Sequence, residues 1–153
     1  MAIGSALLLG CTAPLVGPEP SASPASFACP VTRPDPQITP PPIVDNAPPG
    51  ILYGNAVLWV GLPPGGEALL LRQPDGAFSR KFMWWRLKPG RLTLEAKRLD
   101  AATPLVHGEV DQAYGDSGFQ ATGIAFSSEG CWEITGRLGS DSLTFVILVK
   151  EKP

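Results

Sequence analysis

The sequence predicts an all-β domain, an antiparallel β-sandwich of about seven strands, behind a proline-rich N-terminal tether. Three observations lead to this fold class. After residue 50, glycine and proline interrupt the chain roughly every 8 to 12 residues, which is typical of short strands joined by turns. Apolar and polar residues alternate between many of these interruptions. Twelve of the 18 prolines lie in residues 1–50, so the two parts of the chain differ sharply in composition.

The C-terminal part, residues 51–153, is long enough for one domain and too short for two. Seven apolar blocks lie between its turns, and an immunoglobulin-like sandwich has about this number of strands in roughly 100 residues. We therefore predict an immunoglobulin-like domain. The predicted strands lie in residues 55–62, 67–73, 78–87, 92–99, 119–127, 131–138 and 143–150.

Alternation with a period of two is clearest in the fourth, sixth and seventh blocks, where every second residue is apolar. Gly139-Ser140-Asp141 separates the last two blocks closely enough for a hairpin. Cys131 alternates with Trp132 and is therefore expected on the outer face of its strand or at its start. The residues expected to face the core are Leu92, Leu94, Ala96, Trp132, Ile134, Leu138, Leu143, Phe145, Ile147 and Val149.

Residues 11–50 are predicted to form the tether. Proline removes backbone donors and favours extended polyproline-II geometry, and residues 1–50 contain only four charged side chains. Residues 1–10 are a different segment. Ala2 to Gly10 is apolar but far shorter than the roughly 20 residues that span a bilayer as a helix, whereas a signal-peptide core of about 7 to 15 residues fits.

The run Leu8-Leu9-Gly10-Cys11 resembles the lipobox of bacterial lipoproteins. The resemblance implies that residues 1–10 are removed as a signal peptide and that Cys11 carries a diacylglyceryl group. Two acyl chains anchor a protein stably where one binds only marginally. The implied location is the bacterial cell membrane or outer membrane, facing outside the cytoplasm. No Lys or Arg precedes Arg33, which indicates a start codon further upstream or a truncated chain; the alternative is an apolar terminus with an incidental cysteine.

With Cys11 assigned to lipid, Cys29 and Cys131 remain as a pair. Disulfides persist in exported proteins, so a bridge between these two cysteines is expected, and it would hold the second half of the tether on the domain. Two thiols and the single His107, without a short C-x-x-C spacing, make a poor zinc site.

Several motifs together resemble a family of bacterial secreted proteins and lipoproteins. The resemblance covers most of residues 29–150 and implies an extracytoplasmic location but no particular activity. The last two strands also resemble the terminal hairpin of bacterial immunoglobulin-like modules. The motifs are Cys-Pro-Val-Thr at 29–32, Lys-Phe-Met-Trp-Trp-Arg at 81–86, Arg-Leu-Asp at 98–100, Tyr-Gly-Asp at 114–116 running into Gly-Phe-Gln at 118–120, Gly-Cys-Trp-Glu-Ile-Thr-Gly at 130–136 and Leu-Thr-Phe-Val at 143–146.

The tryptophans are candidates for a binding role. Adjacent residues on a strand point to opposite faces, so one of Trp84 and Trp85 is expected in the core and the other outside. An outward indole beside Arg86 could stack on a sugar or another small ligand. Alternatively, the proline-rich tether covers that ring, since proline segments dock on aromatic side chains. Trp59 and Trp132 are expected in the core.

Charge is uneven although the whole chain carries a formal net charge of only −2. Residues 80–98 have a net charge of +6 and residues 105–141 a net charge of −5. Such opposite blocks predict facing strands with cross-strand ion pairs. An exposed basic strip would instead contact anionic lipid headgroups or acidic glycans.

The sequence predicts neither an enzyme nor a cofactor. No serine lies in a G-x-S-x-G elbow, and His107 stands alone. A hydrolase is a remote alternative that would need a carboxylate pair such as Asp111 and Asp116, or Asp100 and Glu109. The expected partners are the membrane, through the lipid on Cys11, and a glycan or envelope component. Net negative charge and export argue against nucleic acid. A binding module and a purely structural surface protein both remain open.

Overall fold

The computed structural model describes Met1 and residues 27–44, 47–48 and 50–153. The expected signal peptide, Cys11 and the first part of the tether lie outside the described residues. None of the helices in the described residues is long and apolar enough to span a membrane. The strands are β1 (Leu52–Gly54), β2 (Leu58–Gly61), β3 (Glu67–Leu70), β4 (Phe78–Arg86), β5 (Leu92–Arg98), β6 (Val106–His107), β7 (Glu109–Val110), β8 (Gly118–Phe126), β9 (Gly130–Leu138) and β10 (Asp141–Glu151); short 3-10 helices lie at Pro42–Val44, Pro64–Gly66 and Gln112–Tyr114.

The strands form two five-stranded sheets, which confirms the predicted all-β sandwich. Sheet A has the order β1-β2-β4-β8-β7, and sheet B has the order β3-β10-β9-β5-β6. The immunoglobulin fold has an ABED sheet facing a sheet with the order GFC, to which variable-type domains add C′. Strands β2-β4-β8-β7 and β10-β9-β5-β6 follow these two orders, so the connectivity is immunoglobulin-like.

One strand pair departs from the antiparallel prediction. Strand β3 pairs in parallel with β10, with Glu67 opposite Leu148 and Leu70 opposite Glu151. After β2 the chain leaves sheet A through the 3-10 helix at Pro64–Gly66 and joins the edge of sheet B without reversing into a hairpin. Because β3 arrives by this crossing, it runs in the same direction as the last strand.

The predicted inward residues of β5, β9 and β10 are all buried in one core between the sheets. Phe145 lies at its centre, with ring centroids 5.5 Å from Phe82 and 5.9 Å from Trp84. The indole of Trp84 covers Gly136 so closely that a Cβ atom at Gly136 would overlap the ring. A bulky indole on a glycine therefore fills the space between β4 and β9, a place that antibody domains bridge with a disulfide.

Strands β5 and β9, which are neighbours in sheet B, explain part of the uneven charge distribution along the chain. Lys97 lies directly opposite Glu133, with Nζ 3.6 Å from Oε1. Glu95 and Arg137 pair diagonally, with Oε2 3.8 Å from Nε. Exposed pairs of this kind each contribute about 0.2–1 kcal/mol. The expected cross-strand ion pairs thus form on the outer face of sheet B, but they leave the basic residues of β4 unexplained.

Candidate functional site

The two adjacent tryptophans occupy opposite faces of β4, as expected, but neither ring is open to solvent. Trp84 is fully buried in the core, and Trp85 is only 6% exposed on the outer face of sheet A. There Trp85 packs with Val44 and Trp59 in a second, smaller apolar cluster. Trp59 is therefore buried, but outside the core in which it was expected. Of the two predictions for the outward ring, exposure to a ligand is wrong, and cover by the proline-rich tether is found, because the chain around Val44 packs on Trp59 and Trp85.

Arg86 is also buried, at 2% exposure, and it binds the protein itself. Its guanidinium donates hydrogen bonds to the carbonyl oxygens of Gly90 at 2.8 Å, Gly115 at 2.8 Å and Tyr114 at 3.3 Å. These bonds join the β4–β5 turn to the loop before β8. Trp84, Trp85 and Arg86 are therefore all buried rather than open to a ligand, with Nη1 and Nη2 of Arg86 bonded to backbone carbonyls and its Nε left without a partner among the described residues.

The chain from Cys29 to Val44, here called the arm, is held on the sandwich by a disulfide. Cys29 and Cys131 are bonded, with Cα atoms 5.5 Å apart. Cys131 lies opposite Leu148 of β10 and alternates with the core residue Trp132, so the bridge lies outside the core. The bridge agrees with the pairing that the cysteine count predicts.

Backbone hydrogen bonds extend this attachment. The N–H of Thr32 donates to the carbonyl oxygen of Val146 at 2.8 Å, and the N–H of Val146 donates to Oγ1 of Thr32 at 2.8 Å. Val31 packs so closely on Gly66 that a Cβ atom there would overlap it. The first part of the arm thus runs along the edge of β10 and fills the gap beside β3.

The loops beside Cys131 are held by an ion pair. Nε of Arg98 lies 2.7 Å from Oδ1 of Asp100, and Nη1 of Arg98 donates to Oγ of Ser128 at 2.9 Å. The backbone N–H of Leu99 donates to the carbonyl oxygen of Cys131 at 2.8 Å. The hydrogen bond from Arg98 holds the pKa of the Asp100 carboxyl below its ordinary value.

This depressed pKa predicts an acid-sensitive contribution to stability. Asp100 stabilises the fold above its ordinary pKa of about 4 and loses this effect as the pH falls through the lower folded-state pKa. We expect Asp100→Asn to be less stable than the parent in urea at pH 7, and the difference to shrink toward pH 3. Asp116→Asn, which changes another exposed-loop carboxylate, is the control. An equal difference at both pH values would contradict the assignment.

A cleft beside β4 and β8 of sheet A is lined by charged residues that the tryptophan prediction missed. It has a volume of about 340 Å³ and lies between β4, the end of β8 and the crossing from β6 to β7. Lys81 and Gly123 reach it from the outer face of the sheet, Arg80 and Ile124 belong to the core face, and His107 and Glu109 also line it. We call this site the basic cleft.

Gly108 allows the chain to cross from β6 to β7 beside the cleft. Its N–H donates to the carbonyl oxygen of Leu94 at 3.0 Å, and a Cβ atom at this position would overlap the Leu94 side chain. The chain therefore passes from sheet B to sheet A in one residue. This crossing sets His107 and Glu109, one on each side of the glycine, along the margin of the cleft.

Arg80 has an unusual environment for an arginine. Its Nε is fully buried and has no hydrogen-bond partner among the described residues, and its guanidinium carbon lies 5.4 Å from the centroid of the Phe82 ring. Burial lowers the pKa of this guanidinium from its ordinary value. Within the described part of the chain, neither Arg80 nor Lys81 forms an ion pair with a carboxylate within 4.0 Å.

A second, shallower depression of about 200 Å³ continues the basic cleft along β8. It shares Lys81, Glu109 and Gly123 with the cleft and adds Asp111 and Tyr114. Asp111 caps the 3-10 helix that carries Tyr114 by accepting a hydrogen bond from the N–H of Ala113 at 2.9 Å. The two depressions therefore form one continuous surface.

An aromatic row leads from the arm to this surface. Phe119 makes edge contacts with Trp85 and Tyr114, with ring centroids 5.7 and 5.8 Å apart. Phe119 is 44% exposed and Tyr114 is 38% exposed, so the solvent-facing end of the row consists of these two rings. Phe119 and Tyr114 both lie in motifs that are visible in the sequence. The prediction of a binding site rested on the four tryptophans, which are the stronger aromatic signal, and therefore did not include these two residues.

A larger groove of about 540 Å³ lies beside the arm. Its walls are mainly apolar and include Pro34, Ile38, Val44 and Leu52. Oδ1 of the exposed Asp35 accepts a hydrogen bond from the backbone N–H of Gln37 at 2.9 Å. The described residues of this groove offer a ligand few polar contacts.

Among the described residues, no group of three or more His, Cys, Asp or Glu side chains is placed to hold a metal ion. Together, the fold and the site define an immunoglobulin-like sandwich with an arm clamped by a disulfide and a basic cleft on sheet A. Neither a protein-family model nor a curated protein sequence matches the chain. A solved structure of a candidate lipoprotein from Bacillus anthracis is similar over 76% of this chain and 100% of its own length, with 13% sequence identity and a TM-score of 0.42.

Proposed function

We propose that this protein is a lipid-anchored, extracytoplasmic binding module of a bacterial envelope. The observation that carries the proposal is the disulfide from Cys29 to Cys131. Structural disulfides persist in oxidising compartments outside the cytoplasm and are rare inside it. The lipobox-like sequence ending at Cys11 supports the same location and supplies the attachment.

The position of Cys29 divides the tether into two functional parts. From Cys29 onward the arm is fixed to the sandwich, so only residues 11–28 separate the proposed lipid from the domain. Eighteen residues extend to at most about 60 Å. The domain is thus held within this distance of the membrane surface.

The open surface of sheet A favours a binding role over a purely structural one. The arm covers Trp59 and Trp85 but leaves the basic cleft and the rings of Phe119 and Tyr114 open. A pocket of several hundred Å³ with convergent polar groups is the usual form of a small-ligand site. No side-chain arrangement described above supplies a nucleophile with its base, and we propose that the module acts by binding.

Cell fractionation tests the anchor. We expect the protein made in a bacterial host to enter the membrane fraction, with a mass that shows removal of the residues before Cys11 and a diacylglyceryl group on its thiol. Cys11→Ala should move the protein to the soluble extracytoplasmic fraction, since no acyl acceptor remains.

The control is the double variant Cys29→Ala/Cys131→Ala, which lacks the disulfide and retains Cys11. It should stay with the membrane. Recovery of the parent protein in the soluble fraction, or an unmodified Cys11 thiol, would refute the lipid anchor.

A further inference from the structure

A shallow trough lies on the outer face of sheet A between β4 and β7, and strand β8 forms its floor. Lys81 of β4 and Glu109 of β7 both lie opposite Gly123 of β8, and directly paired residues share one face of a sheet. Neighbouring strands are about 4.8 Å apart, so the backbones of β4 and β7 are separated by roughly 10 Å. Oε2 of Glu109 lies 3.8 Å from the position that a Cβ atom at Gly123 would take, so this carboxylate leans over the floor.

The trough continues along β8 towards two aromatic rings. Ala121 forms the floor opposite Met83 of β4, and Asp111 lines the other side. Tyr114 lines the same depression, and Phe119 makes an edge contact with it. Met83 is 37% exposed, and both rings are exposed as well. The trough therefore has an ammonium group on one wall, two carboxylates on the other and an aromatic end.

The charges on the two walls disfavour a ligand with a net charge. Among the described residues, Lys81, Glu109 and Asp111 form no ion pairs. An anion beside Lys81 would face two carboxylates, and a cation beside those carboxylates would face Lys81. An ammonium group only donates hydrogen bonds and an ionised carboxylate only accepts them, whereas a hydroxyl group does both. An uncharged ligand with several hydroxyl groups therefore satisfies both walls.

The floor and the aromatic end indicate a ligand with flat, partly apolar rings. Gly123 and Ala121 have small side chains or none, so a ring can lie close to the sheet. A pyranose ring carries hydroxyl groups on its rim and C–H groups on its faces, and an exposed ring such as that of Tyr114 packs on such a face. A peptide fits less well, because β8 lies between two other strands and the trough offers no free strand edge for backbone pairing.

We propose that the trough binds a neutral saccharide, with its hydroxyl groups on Lys81, Glu109 and Asp111 and one sugar ring against Tyr114. The proposal rests on the binding role given above and names the class of ligand. It does not depend on the lipid. Cell fractionation decides the anchor and a titration with free saccharide decides the ligand, so either one can fail while the other succeeds.

The test is an NMR titration of the full-length Cys11→Ala protein, isotope-labelled and oxidised, with three neutral trisaccharides in turn: cellotriose, maltotriose and triacetylchitotriose. Sorbitol is the matched ligand, because it carries hydroxyl groups but has no ring face. We expect at least one trisaccharide to shift the backbone amides of Ala121, Gly123 and Phe119 and to bind at least tenfold more tightly than sorbitol.

Variants then locate the contacts. Lys81→Met and Glu109→Gln should each weaken binding of that trisaccharide at least threefold, and both residues are exposed, so these variants should fold. Tyr114→Ala should weaken binding severalfold. Gly123→Val places a side chain on the floor and should weaken binding at least tenfold. Lys97→Met, which removes an exposed lysine from the outer face of sheet B, is the control and should leave binding unchanged.

Several outcomes would overturn the proposal. An absence of shifts with all three trisaccharides at millimolar concentration, or equally tight binding of sorbitol, would exclude recognition of a sugar ring. Binding that survives both Gly123→Val and Glu109→Gln would place the site elsewhere. Tighter binding of trigalacturonate than of any neutral trisaccharide would show that the ligand is acidic, and tighter binding of tri-alanine would show that it is a peptide.

Discussion

The double variant Cys29→Ala/Cys131→Ala is expected to be less stable than the parent by about 4 kcal/mol in the free energy of unfolding. The bridge closes a loop with a sequence separation of 102 residues, and the chain-entropy model gives about 4.7 kcal/mol for a loop of 100. The arm should also detach in part, because its first segment is then held only by noncovalent contacts, among them the bonds between Thr32 and Val146 and the packing of Val31 on Gly66.

Denaturant unfolding and intrinsic fluorescence measure these two effects together. Detachment of the arm uncovers Trp59 and Trp85, so the folded double variant should show a red-shifted tryptophan emission, while Trp84 and Trp132 stay in the core. Cys11→Ala is the matched control and should change neither quantity. Unchanged emission would show that the arm packs on Trp59 and Trp85 without the disulfide. An unchanged free energy of unfolding would contradict the stabilising role of the disulfide.

The variant Gly136→Ala is expected to cost about 1–3 kcal/mol of stability, the usual range for adding a methyl group to a filled core. The added Cβ atom would overlap the Trp84 indole, which Phe145 holds from another side. Gly123→Ala is the control, because a Cβ atom there meets only Glu109, at 3.8 Å, on the outer face of sheet A. Its effect on stability should be within about 0.5 kcal/mol.

A double-mutant cycle separates this overlap from a backbone effect. Trp84→Leu alone should destabilise the domain because it leaves a cavity over Gly136. In that background the added methyl group has room, so Gly136→Ala should cost less than it does in the parent protein, or stabilise the variant. Additive losses measured by urea unfolding would show that the indole does not determine the need for glycine.

The sequence predicts the long strands well and the short ones poorly. In β5, β9 and β10, seven or more residues alternate between core and outer face, and this period is visible without a structure. Strands β1, β6 and β7 contain only two or three residues, which are too few to show a period. The parallel pairing of β3 with β10 depends on the crossing at Pro64–Gly66. No local sequence pattern predicts the direction in which β3 runs.

The candidate site could not be predicted in the same way. Alternation places Trp84 and Trp85 on opposite faces, but it does not show that Val44 covers one of them or that three backbone carbonyls occupy Arg86. The basic cleft joins β4, β8 and the crossing at Gly108. Its residues are up to about 45 positions apart in the chain, and only the order of strands in sheet A makes them neighbours.

By itself, therefore, the sequence determined the fold class, the faces of the long strands, the separate character of residues 1–50 and the expected pairing of Cys29 with Cys131. These properties depend on composition and on local periods, which the chain carries directly. The tertiary structure decided what lies above the outer face of sheet A: the arm over Trp59 and Trp85, and open solvent beside Lys81 and Phe119. Exposure depends on distant segments that pack together, so it becomes defined only when the sheets and the arm assemble.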